Sequence, residues 1–89
     1  VRPETGIERN KITRYIEEHN VQTRLLFSGN IIKHPCFDQI RDTDAYRVSG
    51  DLSVTEFVMN NTFWVGVYPG MTDVMIDYMA EVIKDAVNL

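Results

Sequence analysis

The run from Asn61 to Thr72 constrains this chain more than any other stretch. It is the most apolar and aromatic segment, it is bounded by turn residues, and it leads directly into a helix start. Thr, Phe, Trp and Val favour a pleated, half-buried surface, so Thr62 to Val67 is expected to be a short strand. Phe63, Val65 and Val67 would share one face and Thr62, Trp64 and Gly66 the other. Pro69-Gly70 turns the chain, and Thr72-Asp73 supplies an N-cap with an acidic first turn. The rest of the chain is expected to cover this strand.

With 89 residues the chain is expected to form one domain over residues 1–89, large enough for a core but small for a complete enzyme. An apolar share of 44% beside 25% charged residues is ordinary for a soluble globular protein. The net charge of -4 argues against a nucleic-acid or anionic-membrane surface, because both need clustered cations. No apolar run reaches the roughly 20 residues that span a bilayer. A single cysteine, Cys36, excludes an internal disulfide and fits a reducing, cytoplasmic setting. The sequence opens inside what reads as a strand, Val1-Arg2-Pro3, so it is expected to be a piece of something longer.

Between these points the chain alternates helix and strand signals. Asn10 to His19 has helical periodicity, with Ile12, Tyr15 and Ile16 as its stripe and Arg9, Lys11, Arg14, Glu17 and Glu18 solvated. His19 is expected to serve the helix C-terminus, and Asn20 to end it in a left-handed conformation. Val21 to Phe27 is the second strand, in which Val21, Thr23, Leu25 and Phe27 alternate with Gln22, Arg24 and Leu26. Ser28-Gly29-Asn30 then places small polar groups at a strand end, where scaffolds often present binding groups. These residues also form plain turns, and residue chemistry alone favours that reading.

Ile31 to Gly50 is irregular, with Pro35 opening a turn of helix from which Cys36, Phe37 and Ile40 would pack inward. Ser53-Val54-Thr55-Glu56 has the capping-box spacing, and Leu52 and Phe57 match a hydrophobic staple. The last helix is expected from about Asp73 to Ala86, with Met75, Ile76, Met79, Val82, Ile83 and Ala86 on its apolar face. The sum is an α+β fold, a small sheet of about three strands covered by helices.

Chemistry is sparse. His34 and Cys36 lack further ligands at metal-binding spacing, and Gly66-x-x-x-Gly70 lacks the Lys and Ser or Thr of a phosphate loop. No catalytic residue and no metal site is assigned. Composition and spacing stop at an α+β domain.

Two segments nevertheless resemble one family closely. Thr23-Arg24-Leu25-Leu26-Phe27-Ser28-Gly29-Asn30 is the first, and the second runs from Tyr46-Arg47-Val48-Ser49-Gly50-Asp51-Leu52 through Glu56 and Met59 to Thr72. Together they resemble the C-terminal small domain of the DegT/StrS-type sugar aminotransferase superfamily, in its branch of CDP-4-keto-6-deoxyglucose 3-dehydrases of O-antigen lipopolysaccharide biosynthesis. Aminotransferase relatives carry a Pro-Leu-His type sequence where this chain has Ser28-Gly29-Asn30. Ser53 stands where many relatives have proline.

The resemblance implies a small domain like that of fold-type I pyridoxal-phosphate (PLP) enzymes, packed beside a large domain that holds the cofactor. It implies a homodimeric parent enzyme that uses the pyridoxamine form (PMP) to eliminate the 3-hydroxyl of a nucleotide-bound 4-ketosugar. The histidine that replaces the cofactor lysine lies in that large domain, as do the iron–sulfur cysteines of some members. Cys36 alone cannot hold a cluster, which takes about four protein ligands. By the same resemblance Arg24, Ser28, Gly29 and Asn30 face the substrate cleft, Arg24 toward phosphates or a carboxylate and Asn30 toward sugar hydroxyls. A salt bridge across the domain interface is the competing role for Arg24. Taken alone, this piece is expected to be inactive. A sugar aminotransferase and a free-standing binding or dimerising module are the alternatives, and the need for a reductase partner stays open.

Overall fold

Ile12 and Ile16 lie one turn apart on the first helix, α1 (Arg9–Glu18), and Val82 and Ala86 one turn apart on the last, α3 (Asp73–Val87). In the computed structural model, which describes residues 1–89, these two stripes meet and form the core. Ile16 is fully buried, and Ile7, Tyr15, Val21, Phe63 and Ile83 pack around the four. The periodic positions of both helices thus face each other, as the amphipathic pattern requires.

Each of these helices ends through an identifiable contact. The Thr72 hydroxyl accepts from the Met75 N–H at 3.2 Å, so the expected N-cap of α3 forms. His19 follows α1, stacks on Tyr15 with ring centroids 4.1 Å apart, and its Nδ1 bonds the Tyr15 carbonyl oxygen at 2.8 Å. Asn20 then takes φ +62°, the left-handed turn that asparagine tolerates. Tyr78 of α3 donates to the His19 carbonyl at 3.0 Å and ties the two ends together.

The sheet has two antiparallel strands, β1 (Thr23–Leu25) and β2 (Phe63–Val65), paired Thr23 to Val65, Arg24 to Trp64 and Leu25 to Phe63. The α+β class is as expected, with two strands in place of about three. The missing one is Val1-Arg2-Pro3: Pro3–Thr5 forms a 3₁₀ turn, although the Val1 nitrogen reaches the Asn61 carbonyl at 2.7 Å. Both strands are shorter than their apolar alternation suggests. Leu25, Phe27 and Val67 are exposed, because nothing packs over that part of the face.

The third helix, α2 (Ser53–Asn61), starts differently from the expected capping box. Asp51, two residues ahead, accepts from the Ser53 N–H at 2.7 Å, while Glu56 turns away toward another segment. Phe57 stays exposed, so the staple residue does not bury. Arg9 is also not solvated. It is half-buried and donates to the carbonyls of Met59 and Thr62, clamping the C-terminal end of α2 onto α1.

From Ile31 to Gly50 the chain is an arm with two 3₁₀ turns, Ile31–Lys33 and Pro35–Phe37. Pro35 opens the second turn as expected, yet Cys36, Phe37 and Ile40 are exposed rather than packed inward. The molecule measures 53 × 32 × 21 Å, with a radius of gyration of 16.9 Å. A compact domain of this length has about 12 Å. The arm contains no buried residue and so adds no core of its own.

Candidate functional site

β1 delivers the chain to Ser28-Gly29-Asn30, and the loop there is held from three sides. Gly29 has φ +72°, and a Cβ on it would lie 2.8 Å from the Cγ of Met59, so both backbone and neighbour require glycine. Asn30 is only 2% exposed. Its side-chain amide donates to Glu56 Oε2 at 3.1 Å, and its backbone N–H points at the Met59 sulfur at 3.3 Å. His34 Nε2 bonds the Ser28 carbonyl at 2.6 Å, which closes the loop on the arm.

Glu56 is the hub. Its second oxygen accepts from Lys33 Nζ, so one carboxylate joins α2, the loop and the first turn of the arm. Lys33 first, and then Asn30, hold the Glu56 carboxyl below its ordinary range, since both donate to the charged form. Asp51 is likewise lowered, by the Ser53 side chain and then its backbone N–H. Farther along, Arg41 spans the arm: its guanidinium donates to the Ile32 carbonyl at 2.7 and 2.9 Å, to that of His34 at 3.2 Å, and to Asp38 at 2.6 Å.

A groove of about 300 Å³ opens beside the loop. Gly29, Asn30, Arg47, Ser49 and Thr55 supply its polar side, and Ile31, Ile32, Val48 and Leu52 its apolar wall. A second hollow of about 180 Å³ lies under the arm between Ile31, Ile32, Phe37, Ile40 and Tyr46, and is almost wholly apolar. No cluster of three or more His, Cys, Asp or Glu side chains is placed to hold a metal ion.

Of the four residues expected at a site, the structure brings Ser28, Gly29 and Asn30 into one loop, with the last two lining the groove. Arg24 is elsewhere. It lies beside Glu17, Asn20, Val21 and Gln22, donates to the Thr23 carbonyl at 3.0 Å, and faces Trp64 across the sheet. With the Gln22 amide oxygen turned toward it, the guanidinium gains two further contacts at 2.8 and 3.1 Å. Sequence reasoning missed Glu56, Lys33 and Arg47. Glu56 sat in a capping-box pattern that explained it locally, and nothing in the spacing links Lys33 to Glu56, 23 positions on, or Arg47 to the loop 17 and 18 positions before it.

Residues 1–84 match the DegT/DnrJ/EryC1/StrS aminotransferase family. The chain belongs to this family. It is 46% identical over 84 residues to a Saccharopolyspora spinosa protein named dTDP-4-dehydro-2,6-dideoxy-D-glucose 3-dehydratase, covering 94% of this chain and 17% of that relative. Over 85 residues it is 38% identical to the lipopolysaccharide biosynthesis protein RfbH of Salmonella typhimurium, covering 96% of this chain and 18% of that protein. The chain therefore spans less than a fifth of the length of either relative. Membership of the DegT/StrS-type family agrees with the resemblance carried by the Thr23–Asn30 and Tyr46–Thr72 segments. No helix is long and apolar enough to cross a membrane.

Proposed function

We propose that this chain is the small C-terminal domain of a PLP-dependent 3-dehydrase that acts on a nucleotide-bound 4-keto-6-deoxyhexose, with a CDP-sugar as substrate. The observation that carries the 3-dehydrase part of this reading is the 46% identity to a protein named dTDP-4-dehydro-2,6-dideoxy-D-glucose 3-dehydratase, while the CDP nucleotide rests on the family resemblance of the two segments. The second relative is named a lipopolysaccharide biosynthesis protein, which supports a product destined for lipopolysaccharide. The uncovered apolar residues support the reading too. Leu25, Leu26, Phe27, Trp64, Val67 and Tyr68 form exposed surface around the strands and their flanks, where a large domain of the same chain would dock.

In this reading the Ser28–Asn30 loop and Arg24 close the substrate cleft from the small-domain side. The sequence here offers no glycine-rich phosphate loop, which supports placing the cofactor in the large domain. Cofactor binding, and the elimination it supports, belong to the large domain in a homodimeric cytoplasmic enzyme. A role for this chain is to position the sugar, exclude water and hold the substrate against that domain. The family's aminotransferase members keep a second reading alive, in which the same domain serves amino transfer. Histidine at the cofactor-lysine position of the full-length polypeptide supports the dehydrase, lysine the aminotransferase.

Kinetics of the full-length polypeptide test the site. Arg24→Ala and Asn30→Ala are each expected to raise KM for the nucleotide ketosugar. If both variants keep wild-type kcat and KM, the cleft assignment is wrong.

A further inference from the structure

Every polar group of Asn30 but one is engaged inside the protein. Its backbone N–H points at the Met59 sulfur at 3.3 Å, its carbonyl accepts from the Lys33 N–H at 3.1 Å, and its side-chain nitrogen donates to Glu56 Oε2 at 3.1 Å. Oδ1 accepts from no protein group, although the residue is only 2% exposed. No fully buried side-chain nitrogen or oxygen in the molecule lacks a partner, so Oδ1 is not sealed in, and the groove that Asn30 lines is its opening. A free acceptor so deep costs stability unless something donates to it. The chemistry of Glu56 fixes which end of the amide is left free. An ionised carboxylate only accepts, so it takes the NH2 end and leaves the oxygen outward.

We infer that Glu56 is a positioning residue that holds Asn30 as an acceptor toward the groove, so that this point takes an O–H or N–H donor of the bound molecule. Glu56 is not itself among the groove's lining residues and acts only through Asn30. A molecule that offers an acceptor there, or nothing, leaves Oδ1 unpaired, which is how a buried polar group discriminates steeply between analogues. The second carboxylate oxygen makes the device specific to glutamate, because Lys33 Nζ sits on it. An ammonium group only donates, so a glutamine at this position would give its oxygen to Lys33 and its NH2 to Asn30. The Asn30 amide would then turn round and present a donor to the groove. That the bound molecule is the substrate rests on the proposed function; the orientation of the amide does not.

The test uses the full-length polypeptide that carries this chain, its melting temperature, and its turnover of the nucleotide ketosugar. Glu56→Gln is expected to raise KM about tenfold, the loss of one hydrogen bond, with a smaller change in kcat. Its melting temperature should stay near the wild-type value, because glutamine has the same shape and keeps both contacts. Asn30→Asp alone sets two carboxylates face to face and should lower the melting temperature. In the double variant the glutamine donates and the carboxylate at position 30 still turns an acceptor to the groove, so melting temperature and KM should both return toward wild type. A merely structural Glu56 would leave KM unmoved in Glu56→Gln. That result overturns the inference, as does a double variant no better than Asn30→Asp. Unchanged KM in Glu56→Gln beside a raised KM in Asn30→Ala refutes the orientation and leaves the proposed function standing. Recovery of the melting temperature in the double variant, in a polypeptide that turns over no nucleotide ketosugar, does the reverse.

Discussion

The helical end of the molecule and its arm are built on opposite terms. At the helical end two apolar stripes face each other, and Ile12, Ile16, Val82 and Ala86 leave solvent entirely. In the arm, residues 31–50, apolar side chains are as frequent but none is fully buried. Carbonyls, one arginine and one carboxylate hold the arm instead, through Arg41 on Ile32 and His34 and through Glu56 on Lys33. Burial scales with area and is insensitive to direction, whereas these polar contacts are directional and individually weak. The helical end is therefore where stability is concentrated, and the arm is where a binding surface can change shape at low cost.

The sharpest way to break this contrast is at the two ends in parallel. Ile16→Ala removes a fully buried side chain and is expected to cost about 2–5 kcal/mol in urea denaturation. Phe37→Ala, on the half-covered arm, should cost well under that, and equal losses would show that the arm has a core after all.

Next in size is Gly29→Ala, at the junction of the two regions. The left-handed backbone alone costs about 1–2 kcal/mol for a residue with a Cβ, before any displacement of Met59. Its amide shifts should concentrate at 28–34 and 56–60. Thr72→Ala probes the helical end again and should lower stability by about 1 kcal/mol, since it deletes the cap on the Met75 N–H.

The smallest global effect, and the most local, comes from pH. The Glu56 carboxyl is held below its unfolded value near 4.5, so its contribution is complete above that pH and disappears as pH falls through the lower folded value. Hydrogen exchange at Asn30, Lys33 and their neighbours should accelerate over that acid range, while the amides of α1 and α3 hold. Glu56→Gln should abolish the pH step. An unchanged step in that variant would assign it to another acid, Asp51 being the first to examine.

How much of this was legible beforehand follows from the range of each interaction. The α1 and α3 stripes, the Thr72 cap and the Asn20 turn depend on residues within about four positions, and the structure has them where periodicity and capping chemistry place them. The capping box at Ser53 was legible and wrong. Glu56 had a local partner by spacing, but a buried asparagine and a lysine from the arm offered stronger donors, 26 and 23 residues away. Arg9 was misread for the same reason, since its acceptors lie 50 and 53 residues downstream. The site shows both sides. Ser28, Gly29 and Asn30 were visible as a loop, while only folding separates Arg24 from it and brings Arg47 alongside.

By itself, then, the sequence determined the class of the fold, its helices, where the two strands lie though not their length or number, and the family. Each of these rests on local pattern or on an order of residue types that needs no coordinates to read. Tertiary structure alone decided which face each strand buries, that Val1-Arg2-Pro3 is no strand, and which polar side chains meet around Asn30. Those outcomes turn on competition among partners distant in sequence, and the winner is set by which groups the packing of α1 on α3 brings within hydrogen-bonding distance.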